Sequence, residues 1–207
     1  MKRLLLLVLV AILLCAFGCG SKHQSVESDP LAQYRDTLIG NFNGLEVDTL
    51  IAEPIDTVNG EWNKENLFEG WHYKWRVFTK QGSVKDLILD KKTIGIHFVN
   101  EGDLDGNGTD EWGYITEWPT SNWMCYHAFT NINGEWQHII EPTPIYLPHI
   151  DPQDSPYYTI KKEDILQSSE NAGFLKVKFS DVRNDGENFL IIDTLIRICP
   201  QKVKGFE

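Results

Sequence analysis

The segment Asp103-Leu104-Asp105-Gly106-Asn107-Gly108-Thr109-Asp110-Glu111 places an oxygen-bearing side chain at every second position, at Asp103, Asp105 and Asn107. The glycines at 106 and 108 let the backbone curl so that these oxygens converge, because a residue without Cβ enters left-handed backbone at little steric cost. Converging carboxylate and amide oxygens suit a hard cation, and Ca²⁺ takes about six to eight oxygens at about 2.3–2.6 Å. The carbonyl of Thr109 is placed to be a further ligand, and Glu111, ninth when Asp103 is counted as first, closes the site. An EF-hand would need a glutamate at the twelfth position and flanking helices. Tyr114 stands there, and the residues from Trp112 to Trp118 read as a strand. A tight Asp/Gly turn that holds no metal is the competing reading.

The loop is similar to those of the FG-GAP/VCBS family, which set an Asp-x-Asp-Gly-Asn/Asp-Gly loop between strands of a β-propeller blade. The resemblance implies that Asp103, Asp105, Asn107, Thr109 and Glu111 hold one Ca²⁺, and that Asp110 is not a main ligand. It covers the loop closely and the rest of the chain only through its β character. Two fainter echoes follow the same frame. Residues 40–48 carry Leu45 where an oxygen is expected, and residues 181–186 carry Arg183 at a ligand position, so neither is expected to hold a metal well. Three such starts cannot close a propeller of ordinary size. The expected architecture is a compact β fold that keeps the loop, or partial propeller-like repeats.

Catalytic signatures are sparse. The chain has no Gly-x-Ser-x-Gly, no His-Glu-x-x-His and no phosphate-binding glycine loop. Carboxylates are plentiful, but no spacing singles out a glycosidase pair. His72, His97, His127, His138 and His149 show no close metal-ligand spacing and read as histidines at strand surfaces. Trp62, Trp71, Tyr73, Trp75, Trp112, Tyr114, Trp118, Trp123, Tyr126 and Trp136 could stack on sugar rings. Trp71, Tyr73 and Trp75 share one face of a strand, which is also how a core is filled. Cys125 and Cys199 allow one intramolecular disulfide, with two separate buried thiols as the alternative.

The N-terminus carries a different chemistry. Met1-Lys2-Arg3 is basic, and Leu4 to Phe17 is an unbroken apolar run. A comfortable membrane span needs about 20 residues, so this run reads as an export signal. Its end, Ala16-Phe17-Gly18-Cys19, resembles the lipobox of bacterial lipoproteins. That resemblance implies a diacylglycerol on the Cys19 thiol and cleavage just before it. The chain then divides into a signal peptide (1–18), a lipidated polar tether (19–30) and one β-rich globular domain (31–207). Asp36-Thr37-Leu38, Asp48-Thr49-Leu50, Asp56-Thr57-Val58 and Asp193-Thr194-Leu195 resemble the O-glycosylation triplet of exported Bacteroidota proteins, a hint of origin only. The expected location is the cell envelope, on the outer membrane, with either side open.

The formal net charge is −11, and setting Lys2 and Arg3 aside deepens it to −13. That argues against nucleic acid as a partner and against adhesion to anionic lipid through the protein surface. The body reads as all-β, mostly antiparallel strands and hairpins with one short helix. Strands are expected over 35–39, 47–52, 71–79, 93–99, 111–118, 122–130, 135–140 and 175–179. The β-branched run 189–198 is expected as a more buried strand. Asn133-Gly134 marks a hairpin, since a type I′ turn needs positive φ twice. Asn59-Gly60-Glu61-Trp62 repeats the motif at 133–136. The one helix is expected over 160–169, and the prolines at 142, 144, 148, 152 and 156 mark a surface excursion over 141–157. Two function classes stay open. One is a non-catalytic, lipid-anchored protein with a structural Ca²⁺ that meets a glycan or an envelope protein. The other is a small envelope hydrolase or carbohydrate-binding module.

Overall fold

A computed structural model describes residues 35–57, 73–118, 121–150, 160–183 and 190–203. The signal run, Cys19, the tether, the Asn59–Trp62 motif, Trp71 and His72 lie outside the described residues.

The described chain folds into three antiparallel sheets. The first is an up-and-down sheet of β1 (Asp36–Gly40), β2 (Asp48–Thr57), β3 (Tyr73–Thr79) and β4 (Leu87–Thr93). The second holds β5 (Ile96–Gly102), β6 (Glu111–Thr116), β7 (Trp123–Ile132) and β8 (Glu135–His138), with the two-residue β13 (Gln201–Lys202) beyond β8. β9 (Thr143–Tyr146) pairs with the first half of β7. The third holds β10 (Leu166–Ser168), β11 (Phe174–Ser180) and β12 (Ile191–Arg197). The compact all-β fold expected from sequence is the one found.

The second sheet is the middle layer. One core lies between it and the first sheet, with Leu50, Ala52, Trp75, Val77 and Leu89 facing Ile96, Trp112, Tyr114, Phe129 and Trp136. The other lies against the third sheet, with Ile115, Tyr126, Ala128 and Ile145 facing Ile165, Leu166, Leu175 and Val177. This explains why every residue of β6 is buried. Alternate side chains of a strand point to opposite faces. Trp112 and Tyr114 therefore enter one core while Ile115 enters the other. Trp112 packs against Phe129, Phe98 and Trp136 at centroid distances of 4.5, 5.2 and 5.5 Å. Burying a large apolar side chain is worth about 1.5–3 kcal/mol. The indole nitrogens of Trp112 and Trp136 and the hydroxyl of Tyr114 are buried without a hydrogen-bond partner among the described residues, which offsets part of that gain.

The first two sheets also meet at a polar seam. The Asp36 carboxylate accepts the Phe98 N–H at 2.6 Å, and the Asn100 amide donates to the Ile39 carbonyl at 3.2 Å. These side chains occupy backbone groups that edge strands β1 and β5 would otherwise leave unpaired. The seam runs β1 alongside β5, so the end of β1 arrives beside the loop that follows β5.

Several expectations shift. The Asn133-Gly134 hairpin forms as read, with φ of 55° and 82°. The expected helix at 160–169 is instead a 3-10 turn, Lys162–Asp164, followed by β10. Its lysines and glutamate favour helix locally, but Leu166 pairs with Val177 of β11 and enters a core. The only α-helix among the described residues is one turn, α1 (Leu147–Ile150), inside the proline-rich stretch. Pro144 sits on β9, which pairs only with β7, so its missing N–H costs no ladder bond. The run at 191–197 forms a strand, but as the outer strand of the third sheet rather than a buried one. The histidines also depart from the surface reading. His127 and His149 are buried, and His127 Nδ1 lies 3.3 Å from His138 Nε2. Cys125 is half-buried on β7 and Cys199 is exposed beyond β12; no disulfide joins them. Among the aromatics, Trp75, Trp112, Tyr114, Tyr126 and Trp136 fill cores.

Candidate metal centre

The loop between β5 and β6 carries the candidate site. It leaves β5 at Gly102 and rejoins the sheet at Glu111, the first residue of β6. Gly106 and Gly108 have φ of 75° and 87°, the left-handed backbone that the sequence requires of them. The loop is built from local side-chain-to-backbone bonds. Asp105 Oδ1 accepts the Asn107 N–H at 3.0 Å, Asn107 Oδ1 accepts the Thr109 N–H at 2.7 Å, and Asp103 Oδ2 accepts the Gly108 N–H at 3.0 Å.

Asp103, Asp105 and Glu111 each bring a carboxylate oxygen to within 4.8 Å of the others. Glu111 is fully buried. Its Oε2 accepts the N–H of Leu104 at 2.7 Å and more weakly that of Asp105 at 3.4 Å. Its Oε1 is buried and, among the described residues, makes no hydrogen bond. Burial, and then the charge of Asp105, push the Glu111 carboxyl up to about 7, against the nearness of the Thr130 hydroxyl, which makes no ordinary hydrogen bond to it, and the two backbone donors. A buried acceptor left unpaired costs about 1–3 kcal/mol. Among the described residues, no lysine, arginine or histidine forms an ion pair with the three acids. Such a cluster could hold an external hard cation.

The side chains of the other two expected residues bond to each other. Asn107 turns its amide oxygen to Thr109, which donates both its N–H and, at 2.6 Å, its hydroxyl. The Asn107 amide nitrogen donates to Asp105 Oδ2 at 3.1 Å and to Thr130 Oγ1 at 3.1 Å. The three acids therefore converge, and Asn107 lies beside Asp105 but would have to rotate to turn its amide oxygen to an ion. Asp110 points away, as expected of that position, and its Oδ2 accepts the Asn41 N–H at 2.7 Å.

Thr130 is the residue that sequence reading missed. It lies on β7, is fully buried, and also reaches Asp105 Oδ2 at 3.5 Å. Its one signal is a hydroxyl on the strand face that it shares with Ala128 and Tyr126, which line a core. Neither echo makes a comparable site. Asn43 Oδ1 accepts the N–H groups of Leu45 and Glu46, and Asp48 clamps Gln81 and Ser83. Asp181 is neutralised by Arg183, whose Nε and Nη2 both reach it at 2.8 Å and hold its carboxyl down at about 2. The 41–46 turn instead braces the candidate centre, with Asp110 N–H donating to the Asn41 carbonyl at 2.7 Å.

A second raised acid lies beside the loop. Burial pushes Glu101 on β5 up to about 7, while a hydrogen bond from the Tyr126 hydroxyl pulls it down. The Tyr126 phenol crosses over Gly113, where any Cβ would overlap it. His149 Nδ1 and Ser180 Oγ lie 2.9 Å apart, but Ser180 is fully buried and also accepts the Tyr146 N–H at 2.8 Å. The contact ties β9 and α1 to β11. No family model, curated protein or solved structure matches the chain.

Proposed function

We propose that the protein is a lipid-anchored envelope protein without catalytic activity, whose 103–111 loop holds one structural Ca²⁺. The observation that carries the metal reading is the convergence of Asp103, Asp105 and Glu111 around a buried Glu111 Oε1 that has no partner. A divalent ion reverses the mutual repulsion of the acids and supplies the partner that Glu111 lacks. Ca²⁺ fits better than Mg²⁺, which prefers rigid octahedral geometry and retains its waters. The ion fixes where β6 begins, and β6 is the strand buried on both faces. Its role is therefore structural, and the ligand met by the surface is a glycan or another envelope protein.

Thermal melts in EDTA and in millimolar calcium test this. Calcium at about a hundredfold excess over Kd adds about 2.7 kcal/mol to the folded state. At this domain size that raises Tm by about 2–4 °C. Asp105→Ala should abolish the shift while leaving the metal-free fold intact, and Asn43→Ala should leave the shift unchanged. Identical curves with and without calcium, and no heat in calorimetry, would leave only the plain turn.

A further inference from the structure

From the exposed outer edge of β12 we infer that the protein binds a second copy of itself, by antiparallel pairing of β12 with β12 about a two-fold axis at Leu195. The strand is rich in β-branched residues, Ile191-Ile192-Asp193-Thr194-Leu195-Ile196-Arg197, and carries no proline. Such a composition belongs inside a sheet. Here it is a border: β11 pairs along one side, and among the described residues no strand pairs along the other. Leu195 is 45% exposed, and Asp193, Thr194 and Arg197 are exposed with it.

The backbone direction is fixed by two bonds. The Leu190 carbonyl accepts from Asp181 and the Ile198 N–H donates to Gly173, both at 2.8 Å. Even-numbered residues therefore face β11. In an antiparallel strand the alternate residues face the other way. Ile191, Asp193, Leu195 and Arg197 thus present their N–H and C=O groups to the open edge.

Charge then selects one register. With Leu195 opposite Leu195 of the second copy, Asp193 falls opposite Arg197, and the symmetry makes that ion pair twice. On the other face Ile192 falls opposite Ile198, and Thr194 opposite Ile196. Centring on Thr194 instead sets Asp193 against Leu195 and Arg197 against Ile191. Centring on Asp193 opposes two carboxylates. Only the Leu195 register matches charge with charge. Among the described residues Asp193 has loose ion-pair partners, Lys176 at 3.8 Å and Lys178 at 3.9 Å. The paired edges would join two three-stranded sheets into one, and the same surface would serve both copies, as a two-fold contact requires.

Disulfide trapping in cells that make the full chain tests this. Cys125→Ser and Cys199→Ser remove competing thiols while Cys19 stays. Facing residues in a hydrogen-bonded antiparallel pair have Cα atoms about 5.5 Å apart, within disulfide reach. Leu195→Cys should therefore give a disulfide dimer on a non-reducing gel, in clear excess over Thr194→Cys. Adding Arg197→Asp should lower the dimer several-fold by opposing two acids, and adding Asp193→Arg to that should restore it. No dimer from a Leu195→Cys chain that melts normally would overturn the inference. So would equal trapping at Thr194, or a yield indifferent to the charge changes. Light scattering on the unsubstituted, detergent-extracted chain needs no cysteine variant. A dimer mass is expected, and a monomer mass at every concentration reached would overturn the pairing.

Discussion

Glu111 and Glu101 hold protons that an unfolded chain would release. Both carboxyls are pushed up to about 7 in the folded protein, each first because of burial, from the ordinary glutamate value of about 4.5. The native state therefore binds more protons than the unfolded state between those values. Their contribution to stability is fully present below about pH 4.5 and is lost as pH rises through about 7. A shift of this size corresponds to about 3 kcal/mol for fully buried Glu111, and to less for half-buried Glu101. The urea midpoint of the protein in EDTA should fall from pH 5 to pH 8, and Glu111→Gln should remove the larger part of the slope. A midpoint flat with pH would show that neither group is protonated in the fold. Calcium should reverse the trend, because it favours the ionised form of Glu111. Thr130 belongs to the same scale. Its hydroxyl joins Asn107 and Asp105, and outer groups that orient ligands are worth about tenfold or more in metal affinity. Thr130→Val should weaken calcium binding about tenfold by calorimetry; an unchanged Kd would place Thr130 outside the centre.

At the scale of elements, β6 is the strand that both layers depend on, and Gly113 shows how closely they pack. Its missing side chain leaves the space that the Tyr126 phenol crosses on its way to Glu101. Gly113→Ala should therefore destabilise the fold by about 1–3 kcal/mol, the usual effect of overpacking. Urea unfolding measures it, and an unchanged midpoint would mean that Tyr126 yields freely. Much of this architecture was legible. The Asp103–Glu111 loop could be read because its chemistry is local, each acid set by spacing and each turn by a glycine. Alternation revealed β11, and Asn133-Gly134 revealed the β7–β8 hairpin. What stayed hidden depends on pairing between distant residues. β4 (LILDKKT) went unread because three apolar residues followed by Asp-Lys-Lys do not alternate. Residues 160–169 have helical residues, but Leu166 answers to Val177 on another strand. His127 and His138 meet because Phe129 stands opposite His138, which makes the two histidines diagonal neighbours across the hairpin. Thr130 joins the centre through the packing of β7 against β6, which no local pattern encodes.

Across the whole molecule, the start of β1 and the loop of acids lie toward opposite ends of β5. The chain enters β1 at Asp36, beside Phe98 near the start of β5, and the loop of acids follows the far end of β5. A seven-residue strand spans roughly 20 Å at about 3.3 Å per residue. A lipid on Cys19 would thus hold the domain by the end away from the metal loop, on a tether able to extend about 3.3–3.6 Å per residue. Two expectations follow from this separation. Acyl chains contribute about 0.8 kcal/mol per buried methylene, so several of them would keep the protein firmly with the membrane. Cys19→Ala should therefore lose both the incorporation of labelled palmitate and sedimentation with membranes in cells making the full chain. The same variant should keep the calcium-dependent rise in Tm, because among the described residues the loop bonds to Asn41, beyond the end of β1 away from Asp36. Equal label in both proteins would rule out lipidation at Cys19. Loss of the calcium response in Cys19→Ala, with the fold otherwise intact, would show that anchor and metal loop are coupled and that the end-to-end separation is not functional.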